Sequence, residues 1–267
     1  MLKQRILTAL VLALLAVWGI YGLSPAAFSA VVAVLVLLAA WEWSRLAHLS
    51  HPGQRTAYVL AVGAAILGVL GGGPAAVFAV LGAALLWWLA ALVWVLRFPA
   101  GSGVWRAGWL PPALAGLLVM VPAWAAIATV HRAFGPSYLL TVLLLVWGAD
   151  IGAYFAGRRW GRHKLAPRVS PGKTWQGFAG ALGVAVAVTG VATWYFQPSP
   201  WFPLVCLAAV LASVLGDLVE SMFKRLEDVK DSGHLLPGHG GILDRVDSIT
   251  AAAPVYAAGL LLSGGSA

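Results

Sequence analysis

Along this chain, apolar residues gather into long runs that are interrupted by Ser-Pro, Gly-Gly-Gly-Pro and Pro-Ser-Pro breaks or by charged segments. A helix needs about 20 apolar residues to cross the hydrocarbon layer. Nine runs meet or approach that length: 6–23, 27–43, 56–73, 75–96, 109–130, 137–156, 177–196, 201–223 and 248–263. The pattern predicts an all-α integral membrane protein with about nine transmembrane helices. The division at Gly71–Pro74 separates the third run from the fourth, and the ninth is short and rich in Ala and Gly. The first run follows Met-Leu-Lys-Gln-Arg, as a signal peptide would. It is longer than the usual apolar region of such a peptide and reads as a span.

The segments between the runs supply orientation. With the N-terminus in the cytoplasm, the alternate segments facing inward hold sixteen Lys and Arg residues, and the outward ones hold Arg132 alone. That asymmetry follows the positive-inside bias and predicts a C-terminus on the outside. It divides the chain into five N-terminal spans within 1–136 and a C-terminal region, 137–267. The latter has four spans and two charged cytoplasmic loops, 157–176 and 224–247.

Composition agrees. The chain of 267 residues is 61% hydrophobic and only 10% charged, with mean hydropathy +0.89, whereas soluble domains carry about 25% charged residues. The net charge of +8 would suggest nucleic acid in a soluble protein. Here the basic residues are not interleaved with exposed aromatics, and no nucleic-acid module is present. The single cysteine, Cys206, excludes an internal disulfide. Tryptophans at 41, 43, 105, 109, 194 and 201 flank the runs as interface anchors do.

Charge placement then picks out a region. Of nine acidic residues, eight lie between positions 150 and 247, with Glu42 apart at the inner end of the second run. Asp150 and Asp217 fall inside runs, where a carboxylate is expensive and marks function. Each is six residues before the inner end of its run, so at 1.5 Å per residue both lie about 9 Å below that boundary. They are expected to face one cytoplasm-side cavity at equal depth. Ser213, Asp217, Ser221 and Lys224 follow at i, i+4, i+8 and i+11, a polar stripe on one helical face. Asp244 and Asp247, at i, i+3, project together if the ninth helix starts there. Carboxylates without a cysteine or histidine cluster suit a hard divalent cation, magnesium above all, which completes its shell with water and substrate phosphate. Lys and Arg beside them read as phosphate ligands. Together these are the parts of a phosphoryl- or nucleotidyl-transfer site.

The loop 157–176 contains Gly172-Lys173-Thr174, which resembles the end of a nucleotide-binding P-loop. The glycine required five residues earlier is Pro167, so that reading fails. What remains is a basic loop in which Ser170 and Lys173 can reach a phosphate.

The segment from Ser221 to Asp247 is similar to the signature of CDP-diacylglycerol synthases, the phosphatidate cytidylyltransferases of bacterial type. Ser221, Lys224-Arg225, Lys230-Asp231, His239-Gly-Gly241 and Asp244-Arg-Val-Asp247 fit its spacing. Trp147-Gly-Ala-Asp150, Ser170-Pro-Gly-Lys-Thr174 and Gly216-Asp217 also resemble the family, whereas the N-terminal half matches only as a set of spans. Gln176 departs from it, because many members have Glu there.

The resemblance implies an inner-membrane enzyme that joins CTP and phosphatidate into CDP-diacylglycerol and pyrophosphate. It also implies a homodimer that needs Mg2+ and a monovalent cation such as K+. Carried over by position, Asp217 and Asp244 are the expected primary metal ligands, with Asp247 and Asp150 near them. Lys173, Lys224, Arg225, Lys230, His239 and Arg245 are expected phosphate or nucleotide contacts, with Ser170, Ser221 and Asp231 beside them. An ion transporter would use Asp150 and Asp217 as a relay, but no internal repeat accompanies them. The Asp-Gly-x-x-Ala-Arg pattern of CDP-alcohol transferases is missing.

Overall fold

A computed structural model describes the backbone of residues 2–233 and 240–264, with side chains from Leu10 onward. The elements run α1 (Leu2–Gly22), α2 (Pro25–Leu46), α3 (Pro52–Arg97), α4 (Gly103–Arg106), α5 (Leu110–Ala133), α6 (Pro136–Trp160), β1 (Lys164–Ala166), β2 (Ser170–Thr174), α7 (Trp175–Phe196), α8 (Phe202–Leu226) and α9 (Leu243–Leu262). Prolines in the first turn set the starts of α2, α3, α5, α6 and α8. Their missing N–H is no loss there and their fixed φ suits the helix. Among the described residues, six helices (α2, α3, α5, α6, α7 and α8) are long and apolar enough to cross a membrane. The nine expected runs all lie on helices, but two helices carry them differently. One helix, α3, holds both the third and fourth runs. In α9 the apolar run is preceded by Asp244, Arg245 and Asp247, which lower its hydropathy.

The 46-residue α3 is two helical arms joined at Gly73, whose φ of 60° and ψ of −152° only glycine adopts easily, followed by Pro74. The arms point opposite ways. Tyr58 on the first donates its hydroxyl to the Ala113 carbonyl at the start of α5 (3.1 Å). Gly73 shares a cavity with Ser24 and with Arg132 at the end of α5. The second arm then brings Trp87 back to Trp105, ring centroids 6.1 Å apart.

The same two levels recur elsewhere. Trp43 Nε1 donates to Pro112 O (2.8 Å) near one end, and His131 Nε2 meets Ile20 O (2.8 Å) near the other. Leucines such as Leu14, Leu67, Leu86 and Leu96 cover the outside, and alanines such as Ala40, Ala126, Ala209 and Ala252 fill the buried contacts. That is the arrangement of helices packing in lipid, where small residues let backbones approach.

Two close approaches build the C-terminal half. A Cβ on Gly152 of α6 would sit 2.6 Å from the Gly180 carbonyl of α7, and one on Gly216 of α8 would sit 2.5 Å from the Asp247 carbonyl of α9. The expected basic loop contains a small antiparallel hairpin, β1 with β2, between α6 and α7. Pro167 presets its turn, which the Val169 N–H closes onto the Ala166 carbonyl (3.1 Å). Thr174 ends β2 and caps α7, its hydroxyl accepting from the Gly177 N–H (3.1 Å).

Candidate functional site

At the end of the bundle where α6 and α8 finish and α7 and α9 begin, charged side chains face one another. Asp150 from α6, Lys173 from β2 and Asp217 from α8 line one cavity of about 470 Å³, with Arg158 and Thr174 on its wall. Lys173 Nζ forms an ion pair with Asp217 Oδ2, and the Ser221 hydroxyl donates to Asp217 Oδ1 (3.2 Å). Asp150 and Asp217, expected to share a cavity, therefore do. The polar stripe on α8 divides, however. Ser213 turns away and donates to Val210 O (2.8 Å), and Lys224 reaches past Asp217 to other partners.

Lys224 Nζ donates to Glu220 Oε2 (3.0 Å) on its own helix and to Asp244 Oδ1 (2.8 Å) on α9. Asp244 also accepts backbone N–H groups, from Gly241 (2.8 Å to Oδ2) and from Ser232 (3.1 Å to Oδ2). It sits in the first turn of α9, ahead of the apolar run. Burial works to raise its carboxyl, but hydrogen bonds from Lys224 and Gly241 and the Lys224 charge outweigh that and hold it below its ordinary range. Asp247, one turn on, takes the Ser248 N–H (2.7 Å) on Oδ1 and faces Glu220. Glu220 is 2% exposed, and its Oε1 is buried with no hydrogen-bond partner among the described residues. The Gly216 contact brings α8 and α9 together one residue before Asp217, so Asp217, Glu220 and Asp247 border the same seam.

The other expected residues are less central. Ser170 is half-buried at the start of β2. Arg225 is exposed, and its Nε donates to the Val169 carbonyl (3.3 Å), tying the hairpin to α8. Lys230, Asp231 and Arg245 are exposed near the site. His239 lies outside the described residues. Gln176 has a structural task. Its Oε1 accepts the N–H groups of Arg162 (3.1 Å) and His163 (3.2 Å), and its Nε2 meets His163 Nδ1 (3.0 Å).

Two acids acquire partners that sequence reasoning had not assigned. Glu220 is four residues before Lys224, a spacing that pairs side chains on a helix, so it was findable. Glu42 comes from α2, far away in sequence, and accepts from Leu243 N (2.8 Å) and Ser232 Oγ (3.4 Å). No local pattern points to it.

Beside the polar cavity runs a second, mostly apolar groove of about 980 Å³, between the second arm of α3, the hairpin and α8. Leu165, Phe178 and Val214 line both, so the two spaces share a wall. Trp88, Leu89 and Leu92 line the groove, and Arg168 joins them from the hairpin turn.

Comparison with known proteins places this arrangement. Residues 3–262 match the model of the cytidylyltransferase family. The chain is 45% identical to a phosphatidate cytidylyltransferase of Pseudomonas aeruginosa, over 99% of this chain and 98% of that protein. It is 36% identical to one of Haemophilus influenzae (96% and 97%) and 37% identical to one of Brucella melitensis (94% and 90%). The match spans all the described helices, the N-terminal ones included, and the chain belongs to the cytidylyltransferase family.

Proposed function

We propose that this chain transfers the cytidylyl group of CTP to phosphatidate, giving CDP-diacylglycerol and pyrophosphate for phospholipid synthesis. The observation that carries the reading is the shared wall between an ion-lined cavity and an apolar groove. One substrate is a water-soluble polyanion and the other a phosphate on two acyl chains. Only adjoining polar and apolar spaces accommodate both. The cavity takes the phosphates, and the groove beside Trp88, Leu89 and Leu92 takes acyl chain.

In the reaction, a phosphatidate oxygen forms a bond to the α-phosphorus of CTP, the bond from that phosphorus to the β-phosphate oxygen breaks, and pyrophosphate leaves. A phosphate monoester is largely ionised at neutral pH, so the obstacle is repulsion between two anions. Lys173 and Lys224 answer it. Each already holds a carboxylate and is positioned to exchange that contact for a phosphate oxygen, compensating charge where it develops. Arg225 keeps the hairpin, and with it Lys173, against α8.

Magnesium and a monovalent cation such as K+ are expected cofactors. Among the described residues no group of three His, Cys, Asp or Glu side chains is close enough to hold a metal alone. Magnesium characteristically uses one or two carboxylates and leaves the rest to water and substrate. The donor set fits that habit. Asp217 and Asp247 would hold the ion, with the unpartnered Glu220 Oε1 beside them. Asp150 stands across the cavity, and Asp217, held by Lys173 and Ser221, and Asp244, held by Lys224 and backbone N–H groups, would each give up a contact to bind the ion. When bound, the ion would neutralise phosphate charge during transfer.

The membrane topology follows from the same reading. The opposed arms of α3 count as two crossings, and α1 and α9 complete nine, with the N-terminus inside and the C-terminus outside. The support is the sixteen-to-one distribution of basic residues. It puts the site on the cytoplasmic side of the inner membrane, where CTP is available. A homodimer is expected from the family.

Incubating purified protein with radiolabelled CTP, phosphatidate and Mg2+ tests the reaction. Label entering the organic phase as CDP-diacylglycerol is the expected result, and label that stays in the aqueous phase would overturn the reading. Substrate-driven ion flux in liposomes without lipid product would favour transport instead.

A further inference from the structure

Glu42 is the one acidic side chain that the N-terminal half of the molecule contributes, and it is 2% exposed. Its Oε2 accepts the backbone N–H of Leu243 (2.8 Å), the first residue of α9, and the hydroxyl of Ser232 (3.4 Å). Its Oε1 is buried without a hydrogen-bond partner among the described residues. Two glycines close over the carboxylate. A Cβ on Gly233 or on Gly241 would collide with it, and on Gly241 would also collide with Ser232 Oγ. The backbone on both sides of residues 234–239 is thus wrapped around one side chain from α2.

Asp244 holds the same two segments of chain through other atoms. It takes the N–H groups of Ser232 and Gly241, while Glu42 takes the Ser232 hydroxyl and the Leu243 N–H. Ser232 is held by both acids, through different atoms. The two clamps differ in what else they reach. Asp244 also binds Lys224 (2.8 Å), whereas Glu42 is not among the described residues that line the cavity.

We infer that Glu42 is a positioning residue for nucleotidyl transfer, fixing the start of α9 and the Ser232 segment so that Asp244 and Lys224 hold their places. The inference rests on the cytidylyltransferase reading and deepens it by giving α2 a task in the reaction. Without the carboxylate, the buried Leu243 N–H and Ser232 hydroxyl lose their acceptor, a loss that costs more than the hydrogen bonds themselves. The start of α9 then loosens, and Asp244 with it. Misplacement of a catalytic group by about 1 Å can cost about 100-fold in rate, so kcat should suffer, while the KM for CTP and phosphatidate should change little because Glu42 lines neither the polar cavity nor the apolar groove.

The test compares wild type, Glu42→Ala, Glu42→Gln and Ser232→Ala, purified in detergent, by steady-state kinetics and hydrogen exchange. Glu42→Ala should lower kcat about 100-fold with little change in either KM, and should speed exchange at the Leu243 amide. Glu42→Gln keeps an acceptor oxygen and should recover kcat to within about fivefold of wild type, the difference between a charged and a neutral hydrogen bond. A Glu42→Ala enzyme within twofold of wild type would refute the inference. So would Glu42→Gln falling as far as Glu42→Ala, because charge would then matter and not the acceptor. Should Glu42→Ala fail to fold, Glu42→Gln and Ser232→Ala decide. Ser232→Ala must lower kcat at unchanged KM, and an unchanged kcat there overturns the inference. If wild type itself makes no CDP-diacylglycerol, the failure belongs to the functional reading and not to Glu42.

Discussion

Gln176 shows how a single side chain changes meaning once its surroundings are known. In sequence it is a departure from a family in which Glu is common, and it invites a question about a lost charge. In the fold its Oε1 collects two backbone N–H groups from Arg162 and His163 ahead of β1. A Glu would serve those donors equally well and lose only the contact from Nε2 to His163. Gln176→Glu should therefore keep activity within about threefold, whereas Gln176→Leu, which orphans both N–H groups, should destabilise the hairpin by about 2 kcal/mol. Melting in detergent and the lipid-product assay report the two quantities. Asp244 allows no such latitude. Asn keeps one oxygen but brings an NH₂ against Lys224 or against the Gly241 and Ser232 N–H groups. Asp244→Asn should reduce product formation about 100-fold or more while the protein still inserts, and unchanged activity would remove Asp244 from the site. Arg225→Lys loses the Nε–H that reaches Val169 and should lower kcat about fivefold, with full activity as the contrary result.

At the scale of elements, the sequence was most legible where one physical rule acts alone. Hydropathy located the helices because lipid requires long apolar runs, and the i, i+4 spacing put Ser221 on Asp217. It was less legible where elements meet. The β1–β2 hairpin is too short for a strand pattern, and it exists because Pro167 presets its turn while Arg225 and Gln176 tie it at both ends. Which partners Lys224 and Asp217 meet depends on how α8 faces α9, and the close contact of Gly216 with Asp247 sets that facing. The contact makes its own prediction. Gly216→Ala puts a methyl 2.5 Å from the Asp247 carbonyl and 3.0 Å from the Ala251 Cβ. Overpacking of this kind costs about 1–3 kcal/mol. Because the contact borders Asp217 and Asp247, activity should fall further than the melting temperature indicates. Gly183→Ala, a change on α7 where nothing lies within 4 Å of the added Cβ, serves as the control and should leave both unchanged.

For the whole molecule, the division into an N-terminal membrane half and a C-terminal catalytic half describes charge better than it describes construction. Eight of nine acids are in the second half, yet the ninth, Glu42, reaches over two hundred residues ahead to hold Leu243. The second arm of α3 forms one side of the apolar groove. The reversal at Gly73 is what delivers that arm. If α3 crossed only once, Trp87 could not return to the level of Trp105, and every later helix would change direction. The basic residues would then divide between the two sides of the membrane, which the sixteen-to-one distribution argues against. Accessibility of introduced cysteines measures this directly, because Cys206 is buried and contributes little background. In a Cys206→Ala background, Ala75→Cys and Ser199→Cys should react with a membrane-impermeant maleimide in intact cells. Ser50→Cys and Gly101→Cys should react only after permeabilisation. Ala75→Cys labelled from the cytoplasmic side, or Ser50 and Gly101 found on opposite sides, would show that α3 does not return, and would separate the apolar groove from the cavity proposed for the phosphates.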